Sequence, residues 1–132
     1  MNGLLRDAGV GTLTQALALR PDLLAGYRAL EAAVAAEPEL DARLRDRCRA
    51  RVATLCGGGA SPSDPGSHDD DLVVVLEFVE QLVFDAHGMT DDLVARLGAR
   101  LSPRAIVALA QAVVVWEGEY RLARTLGVTP EL

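Results

Sequence analysis

Apolar residues along this chain recur three or four positions apart, which is the spacing of one face of an α-helix. In the segment that Pro21 opens, one such stripe carries Leu23, Tyr27, Leu30 and Val34. No segment shows the alternation of period two that a half-buried strand requires. The pattern therefore predicts an all-α fold.

Helix breakers and capping residues divide the pattern into about six helices. A short helix is predicted within residues 12–19, before the one that Pro21 opens. A third helix carries an apolar face and is stopped by the glycines at 57–59. That face consists of Leu40, Leu44, Cys48, Val52 and Leu55.

The second half of the chain predicts three more helices. A strongly apolar helix over residues 72–87 ends at Gly88, and Thr90 then caps a short one. Ser102 and Pro103 open the longest helix, which Gly127 closes. Some of these stretches are rich in valine, but their length and their caps favour helix over strand.

Residues 57–71, GGGASPSDPGSHDDD, form the one break in composition. They contain no apolar residue larger than alanine or proline, which predicts a loop that is less ordered than the helices and borders a cleft. Neither flank is large enough to fold well alone. We therefore expect a single domain over residues 1–132.

Composition excludes several classes of protein. The chain has 13 basic and 19 acidic residues and a net charge of −6, whereas nucleic acids and anionic membranes attract basic surfaces. The N-terminus has no apolar signal segment, and the longest apolar run, residues 105–116, is too short to span a bilayer. The two cysteines, Cys48 and Cys56, are about 12 Å apart on one predicted helix, too far for a disulfide. These features favour a reduced, cytoplasmic protein with neither nucleic-acid nor membrane partners.

The third helix and the segments around it carry a family resemblance. LDARLRDRCRARVATLCGG resembles the segment that precedes and includes the Cys-x-x-Cys pair in the carboxymuconolactone decarboxylase and alkyl-hydroperoxidase-D-like family. RPDLLAGYRAL, FVEQLVFDAHGMTDDLVARL and LSPRAIVALAQAVVVWEGEYRLARTLGV are similar to its leading, middle and closing helices, so the resemblance spans roughly residues 20–128. It implies an all-α helical bundle that assembles as a homotrimer or homohexamer.

The chain departs from that family at the redox site. The positions of the two family cysteines fall on Gly58 and Ser61, and the family histidine falls on Pro65, with His68 as the nearest substitute. A peroxidase of this kind needs one thiolate to attack the peroxide and a second cysteine to resolve the product. The decarboxylase branch of the family acts on a small carboxylated lactone without a cysteine pair, so the resemblance permits acid–base chemistry on a small organic acid or a cyclic, enolisable substrate.

Three residues are candidates for acid–base catalysis. The resemblance places the proton-relay carboxylate of the family on Asp46, although a surface ion pair with the surrounding arginines explains this residue equally well. His68 lies beside three aspartates, which would raise the pKa of its imidazole, and the alternative is a solvated loop histidine. His87 ends the middle helix, where capping of the helix dipole is the simpler explanation. One histidine followed by three aspartates has no established metal-ligand spacing, so we expect no metal site.

A polar group on the last helix is the candidate substrate-binding site. Glu117, Tyr120 and Arg121 interrupt an apolar helix, and Arg121 could hold a carboxylate bidentately. Because Glu117 and Arg121 are four residues apart, they could equally form an intrahelical ion pair. Cys56 is a weaker candidate, a lone nucleophile, because a helix C-terminus disfavours the thiolate. Cys48 is expected in the core.

These observations lead to two functional hypotheses. The first is a cofactor-independent enzyme that carries out decarboxylation, isomerisation or cyclisation on a small organic acid. The second is a non-catalytic helical assembly or ligand-binding protein. A buried cleft that joins Asp46 to a histidine would favour the first hypothesis, and a cleft filled by leucine and valine would favour the second.

Overall fold

Seven α-helices build the protein in the computed structural model, which describes residues 3–57 and 70–131. A turn of 3₁₀ helix, Ala86–Gly88, follows the fifth α-helix. These two ranges contain no β-strand, so the predicted all-α class is confirmed. The helices are α1 (Gly3–Asp7), α2 (Leu13–Leu17), α3 (Pro21–Ala35), α4 (Ala42–Leu55), α5 (Asp70–Phe84), α6 (Asp91–Gly98) and α7 (Pro103–Leu126).

Local sequence signals set several helix ends where they were predicted. The side-chain oxygen of Thr90 accepts a hydrogen bond from the Leu93 N–H at 3.2 Å, and that of Ser102 accepts one from the Ala105 N–H at 3.2 Å. These bonds satisfy N–H groups that the first turn of a helix leaves unpaired. Gly127 ends α7 with a φ of 68°, a left-handed conformation that favours glycine.

The end of α5 differs from the prediction. The helix stops at Phe84 rather than His87, because Asp85 leaves the helical conformation with a φ of −157° and a ψ of 84°. The side-chain amide of Gln81 donates to the Asp85 carbonyl at 2.6 Å and so satisfies a backbone acceptor at this turn. His87 consequently lies in the 3₁₀ turn, outside α5. The short helix α1 was not predicted, because five residues carry too little periodicity.

The main hydrophobic core lies where α4, α5 and α7 meet, with α3 against α7 and α6 against α5. Cys48 and Val52 of α4 and Leu109 and Val113 of α7 are fully buried in it. The other buried members are Val34, Leu40, Val75, Phe78, Val79, Leu97, Ala112 and Trp116. Aliphatic side chains fill most of this core, in keeping with the low aromatic content of 4%.

Contacts between helices give their relative directions. Nε of Arg104, at the start of α7, is 3.2 Å from Oε1 of Glu37, just beyond the end of α3. Further along, the Tyr27 hydroxyl donates to the Val115 carbonyl at 3.0 Å. The helices α3 and α7 therefore run antiparallel, with the middle of α3 beside the second half of α7.

A second apolar cluster joins the two ends of the described chain. Val10, Leu13, Ala123 and Val128 are buried together. Beside them, the Leu13 N–H donates to the Thr129 carbonyl at 2.8 Å, and the Thr129 N–H donates to the Gly11 carbonyl at 2.9 Å. The segment around α2 is thus fastened to the C-terminal end of α7.

The helix α3 lies at the edge of the bundle. It packs mainly against α2 and α7, so Leu23 and Leu30 of its predicted apolar stripe remain exposed while Val34 is buried.

Among the described helices, none alone is long and apolar enough to cross a membrane; α6 and α7 together meet that criterion but are bent by 120°.

Candidate functional site

A pocket of about 330 Å³ lies between α3, α4 and α7. Ala112, Val115 and Trp116 of α7 form an apolar wall. The side contributed by α3 and α4 is mixed, with charged groups beside small apolar residues. Its members are Arg28, Glu31, Ala32, Val34, Ala35, Arg45, Asp46 and Arg49. Pockets that combine an apolar wall with a few charged groups are typical of small-molecule sites, and this volume is at the lower end of their range.

Two glutamates from facing helices form a carboxyl pair at the pocket wall. The side chain of Glu119 on α7 is only 2% exposed, and that of Glu31 on α3 is 26% exposed and reaches the pocket. Oε1 of each residue is buried and has no hydrogen-bond partner among the described residues. A protonated Glu119 carboxyl can donate a hydrogen bond to Glu31, as in other carboxyl dyads.

The surroundings of Glu119 favour its protonated form. Burial and hydrogen bonding with Glu31 raise the pKa of the Glu119 carboxyl to about 8. The Tyr27 hydroxyl and the positive charge of Arg49 act in the opposite direction. The Glu119 carboxyl is therefore mostly protonated at neutral pH, beside the Glu31 side chain that lines the pocket.

Arg49 and Tyr27 complete the polar cluster. Nη2 of Arg49 lies 3.5 Å from Oε2 of Glu119 and 3.9 Å from Oε1 of Glu31, and the guanidinium is 6.0 Å from the centre of the Trp116 ring. These separations are longer than those of a close charge-assisted hydrogen bond, so Arg49 offsets the negative charge of the pair only in part. Burial and the nearby Glu119 raise the pKa of the Tyr27 hydroxyl, which therefore stays protonated.

The predicted catalytic residues do not converge on one point in the described structure. Asp46 lies at the pocket, but its side chain is 73% exposed. Its Oδ1 is 3.7 Å from Nη2 of Arg45, so Asp46 forms the surface ion pair that was the alternative interpretation of this residue. His87 is exposed in the 3₁₀ turn and does not line the pocket. His68 lies outside the described residues, as do Gly58, Ser61 and Pro65 and most of the predicted loop.

The predicted substrate-binding group on α7 lies away from the pocket. Nε of Arg121 donates to Oε1 of Glu117 at 2.7 Å, so the intrahelical ion pair is confirmed. Arg121 is exposed, and Tyr120 is half-buried against the main core. None of these three residues lines the pocket.

Both cysteines are free thiols. Burial raises the pKa of the Cys48 thiol to about 12. Burial and the nearby carboxylate of Glu117 also raise the pKa of the Cys56 thiol, although Arg121 opposes the shift. A raised pKa disfavours the thiolate, so the environment of Cys56 does not activate it as a nucleophile.

Sequence reasoning missed the carboxyl pair, although one signal for it was present. The buried face of α7 repeats at alternating intervals of four and three residues. The residues in this repeat are Ala105, Leu109, Ala112, Trp116, Glu119 and Ala123, and Val113 and Val115 beside them are buried as well. Glu119 is the charged residue at a position that the helical repeat assigns to the core, and such positions mark functional groups more often than surface charges do.

The cluster sets a protonated carboxyl and an arginine beside a pocket of small-molecule size, an arrangement that is chemically suited to proton exchange. In the described part of the chain, no group of three or more His, Cys, Asp and Glu side chains is arranged to hold a metal ion.

Comparison with known proteins found no matching family model, no matching curated protein and no matching solved structure.

Proposed function

We propose that this protein is a small-molecule enzyme that uses acid–base chemistry, without a redox cofactor, on a small organic acid. The observation that carries the proposal is the carboxyl pair of Glu31 and Glu119 at the wall of the pocket. A buried carboxyl with a raised pKa beside a second carboxyl is the arrangement that general acid–base catalysis at neutral pH requires.

Glu31 is the residue of the pair that meets the substrate, because its side chain lines the pocket while Glu119 lies behind it. In an isomerisation, Glu31 removes a proton from a carbon next to a carbonyl group and the pair returns a proton at another position. In a decarboxylation, the bond to the carboxylate breaks, carbon dioxide leaves, and the pair protonates the carbon that keeps the electrons. Glu119 stores the proton in both cases.

The neighbours of the pair support this chemistry. Arg49 lies within 4 Å of both glutamates, so it stabilises the pair when the proton has been transferred. The apolar wall of Ala112, Val115 and Trp116 excludes water from one side of the substrate and strengthens electrostatic interactions there. Asp46, at the exposed end of the pocket, is a second carboxylate within reach of a bound molecule.

Membership of the carboxymuconolactone decarboxylase-like family stays a prediction that rests on the segments quoted from the sequence. The acid–base chemistry proposed here agrees with the decarboxylase branch. It assigns the proton transfer to Glu31 and Glu119, whereas the resemblance implied Asp46 and a histidine.

A ligand-binding protein without catalysis is the second candidate. It is favoured by the position of Asp46, whose side chain is mostly exposed, and by the absence of His87 from the pocket lining. The same pocket would then bind a small acid and release it unchanged.

Deuterium exchange separates the two candidates. Pyruvate, acetoacetate and 2-oxobutyrate would be incubated with the protein in D₂O, and NMR would follow deuterium incorporation and loss of carbon dioxide. We expect at least one acid to react faster than in buffer, and Glu31→Gln and Glu119→Gln each to slow that reaction at least about a hundredfold.

Glu77→Gln is the matched control, because it removes a carboxylate that pairs with Arg96 on the other side of the bundle. It should react at the wild-type rate. Binding of an acid without exchange or decarboxylation would support the ligand-binding candidate instead.

A further inference from the structure

The three arginines of the pocket differ in how far their hydrogen-bonding capacity is used. Nη1 of Arg45 donates to the Ala35 carbonyl at 2.9 Å, and its Nη2 lies near Asp46. Arg49 lies between Glu31, Glu119 and Trp116. Arg28 is exposed at the pocket and forms neither a hydrogen bond nor an ion pair with any residue that the structure describes.

An unpaired arginine at a pocket is an anchor for an anion. The guanidinium offers parallel N–H donors that match the two oxygens of a carboxylate, and it remains charged at all accessible pH values. Arg28 is also three residues before Glu31 on the same helix, which places their backbones roughly 5 Å apart along the helix axis. Residues three apart lie on one face of a helix, so a carboxylate held by Arg28 lies on the Glu31 side of the pocket.

The other charges of the pocket limit the ligand to one negative charge. Glu31 and Asp46 both line the pocket, and each ionised carboxylate repels a second anionic group. Arg45 already donates to the Ala35 carbonyl, and Arg49 already faces the two glutamates, so a dianion such as a phosphate monoester meets less compensating charge than a monoanion does. The apolar wall of α7 faces the remainder of the ligand and favours a compact apolar body.

We propose that the pocket binds a small monocarboxylic acid with a compact apolar body, and that Arg28 holds its carboxylate. This proposal rests on the proposed function, since it names the substrate class of the same site. It replaces Arg121 with Arg28 as the residue that binds the anionic group.

The test compares three probes that share one ring and differ in one substituent: benzoate, benzamide and benzylamine. Affinities would be measured by isothermal titration calorimetry at neutral pH. Benzoate should bind at least about tenfold more tightly than benzamide, which is the size expected for one charge-assisted hydrogen-bonded pair, and benzylamine should bind more weakly still. Arg28→Gln should lose that tenfold preference while its affinity for benzamide is unchanged.

Arg43→Gln is the control, because it removes the same charge from the exposed surface of the neighbouring helix outside the pocket. It should retain the preference for benzoate. Equal affinity for benzoate and benzamide, tighter binding of benzylamine, or a benzoate affinity that survives Arg28→Gln would each overturn the proposal, as would no binding of any probe.

The outcomes also separate this inference from the function on which it rests. Arg28-dependent binding of benzoate, without proton exchange on any of the three oxo acids, would support the carboxylate anchor and contradict the enzyme. Proton exchange that depends on Glu31 but not on Arg28 would support the enzyme and contradict the anchor.

Discussion

Glu119 occupies a position on α7 where every other buried residue of the helix is alanine, leucine, valine or tryptophan. An isolated carboxylate there would be costly, because the interior solvates charge poorly. The structure reduces that cost in two ways: Glu31 shares hydrogen bonding with the carboxyl and favours its neutral form, and Arg49 lies close enough to offset the charged form. A single residue thus stores a proton in the core.

Glu119→Gln should change how stability depends on pH. The pKa of the Glu119 carboxyl is raised from 4.5 to about 8 in the folded protein, so the folded state binds the proton more tightly than the unfolded chain. The contribution of Glu119 to the free energy of unfolding is therefore present below pH 4.5 and is lost as the pH rises through about 8. Glutamine cannot ionise, so the variant does not lose stability in this way as the pH rises.

We expect the variant to gain on the order of 1–3 kcal/mol relative to the wild type between pH 5 and pH 9, allowing for partial relaxation around the charge. Urea denaturation at a series of pH values measures the difference. Glu77→Gln removes a carboxyl whose pKa is lowered by Arg96, so that carboxyl stays ionised between pH 5 and pH 9. The free energy of unfolding of Glu77→Gln should therefore differ from that of the wild type by a constant amount over this range. A constant difference for Glu119→Gln would contradict the raised pKa.

At the scale of single elements, α4 decides what the cysteines can do. Cys48 is fully buried on the helix face that meets α5 and α7, and Cys56 forms the cap just beyond the last helical residue. Eight residues of helical rise keep the two about 12 Å apart, whereas a disulfide requires Cα atoms within about 7 Å. To join them, α4 would have to unwind and expose Val52.

The protein should therefore lack any thiol peroxidase activity that depends on an internal disulfide. The raised pKa of both thiols also disfavours the thiolate that would attack a peroxide. Turnover of an alkyl hydroperoxide would be compared between the wild type and a Cys48→Ser, Cys56→Ser double variant, and disulfides would be mapped in the oxidised protein. Robust turnover lost in the variant, together with a bridge between the two cysteines, would show that α4 opens.

At the scale of the whole molecule, several large apolar side chains lie on the outside of the bundle. Val107 and Val114 on α7 are 70% and 53% exposed, and their separation of seven residues places them on one face of the helix. Phe84, at the end of α5, is 69% exposed. Exposed apolar surface of this kind is typical of subunit interfaces.

We predict a homotrimer or homohexamer in which the exposed faces of α5 and α7 are buried between subunits. Light scattering at micromolar concentration should give a mass of three or six chains. Replacing both Val107 and Val114 by Glu should yield a folded monomer, because charged groups resist burial in the interface. Val94→Glu on α6 is the control and should leave the assembly unchanged. A wild-type monomer would be incompatible with this interface.

The sequence by itself determined the elements whose causes are local. Thr90, Ser102 and Gly127 were recognisable as helix ends, because a cap needs only the backbone of its own first or last turn. The all-α class followed in the same way from the spacing of apolar residues. The i, i+4 pair of Glu117 and Arg121 was also foreseeable, since both residues belong to one helix.

Only the tertiary structure decided which helix faces are covered and which charges meet. Leu23 and Val34 belong to one stripe of α3, yet Leu23 is exposed and Val34 buried, because α3 lies at the edge of the bundle. Glu31 and Glu119 are 88 residues apart in the chain and meet because α3 packs antiparallel against α7. Their shared proton depends on burial and mutual distance, which arise when the helices dock and which no spacing along the chain encodes.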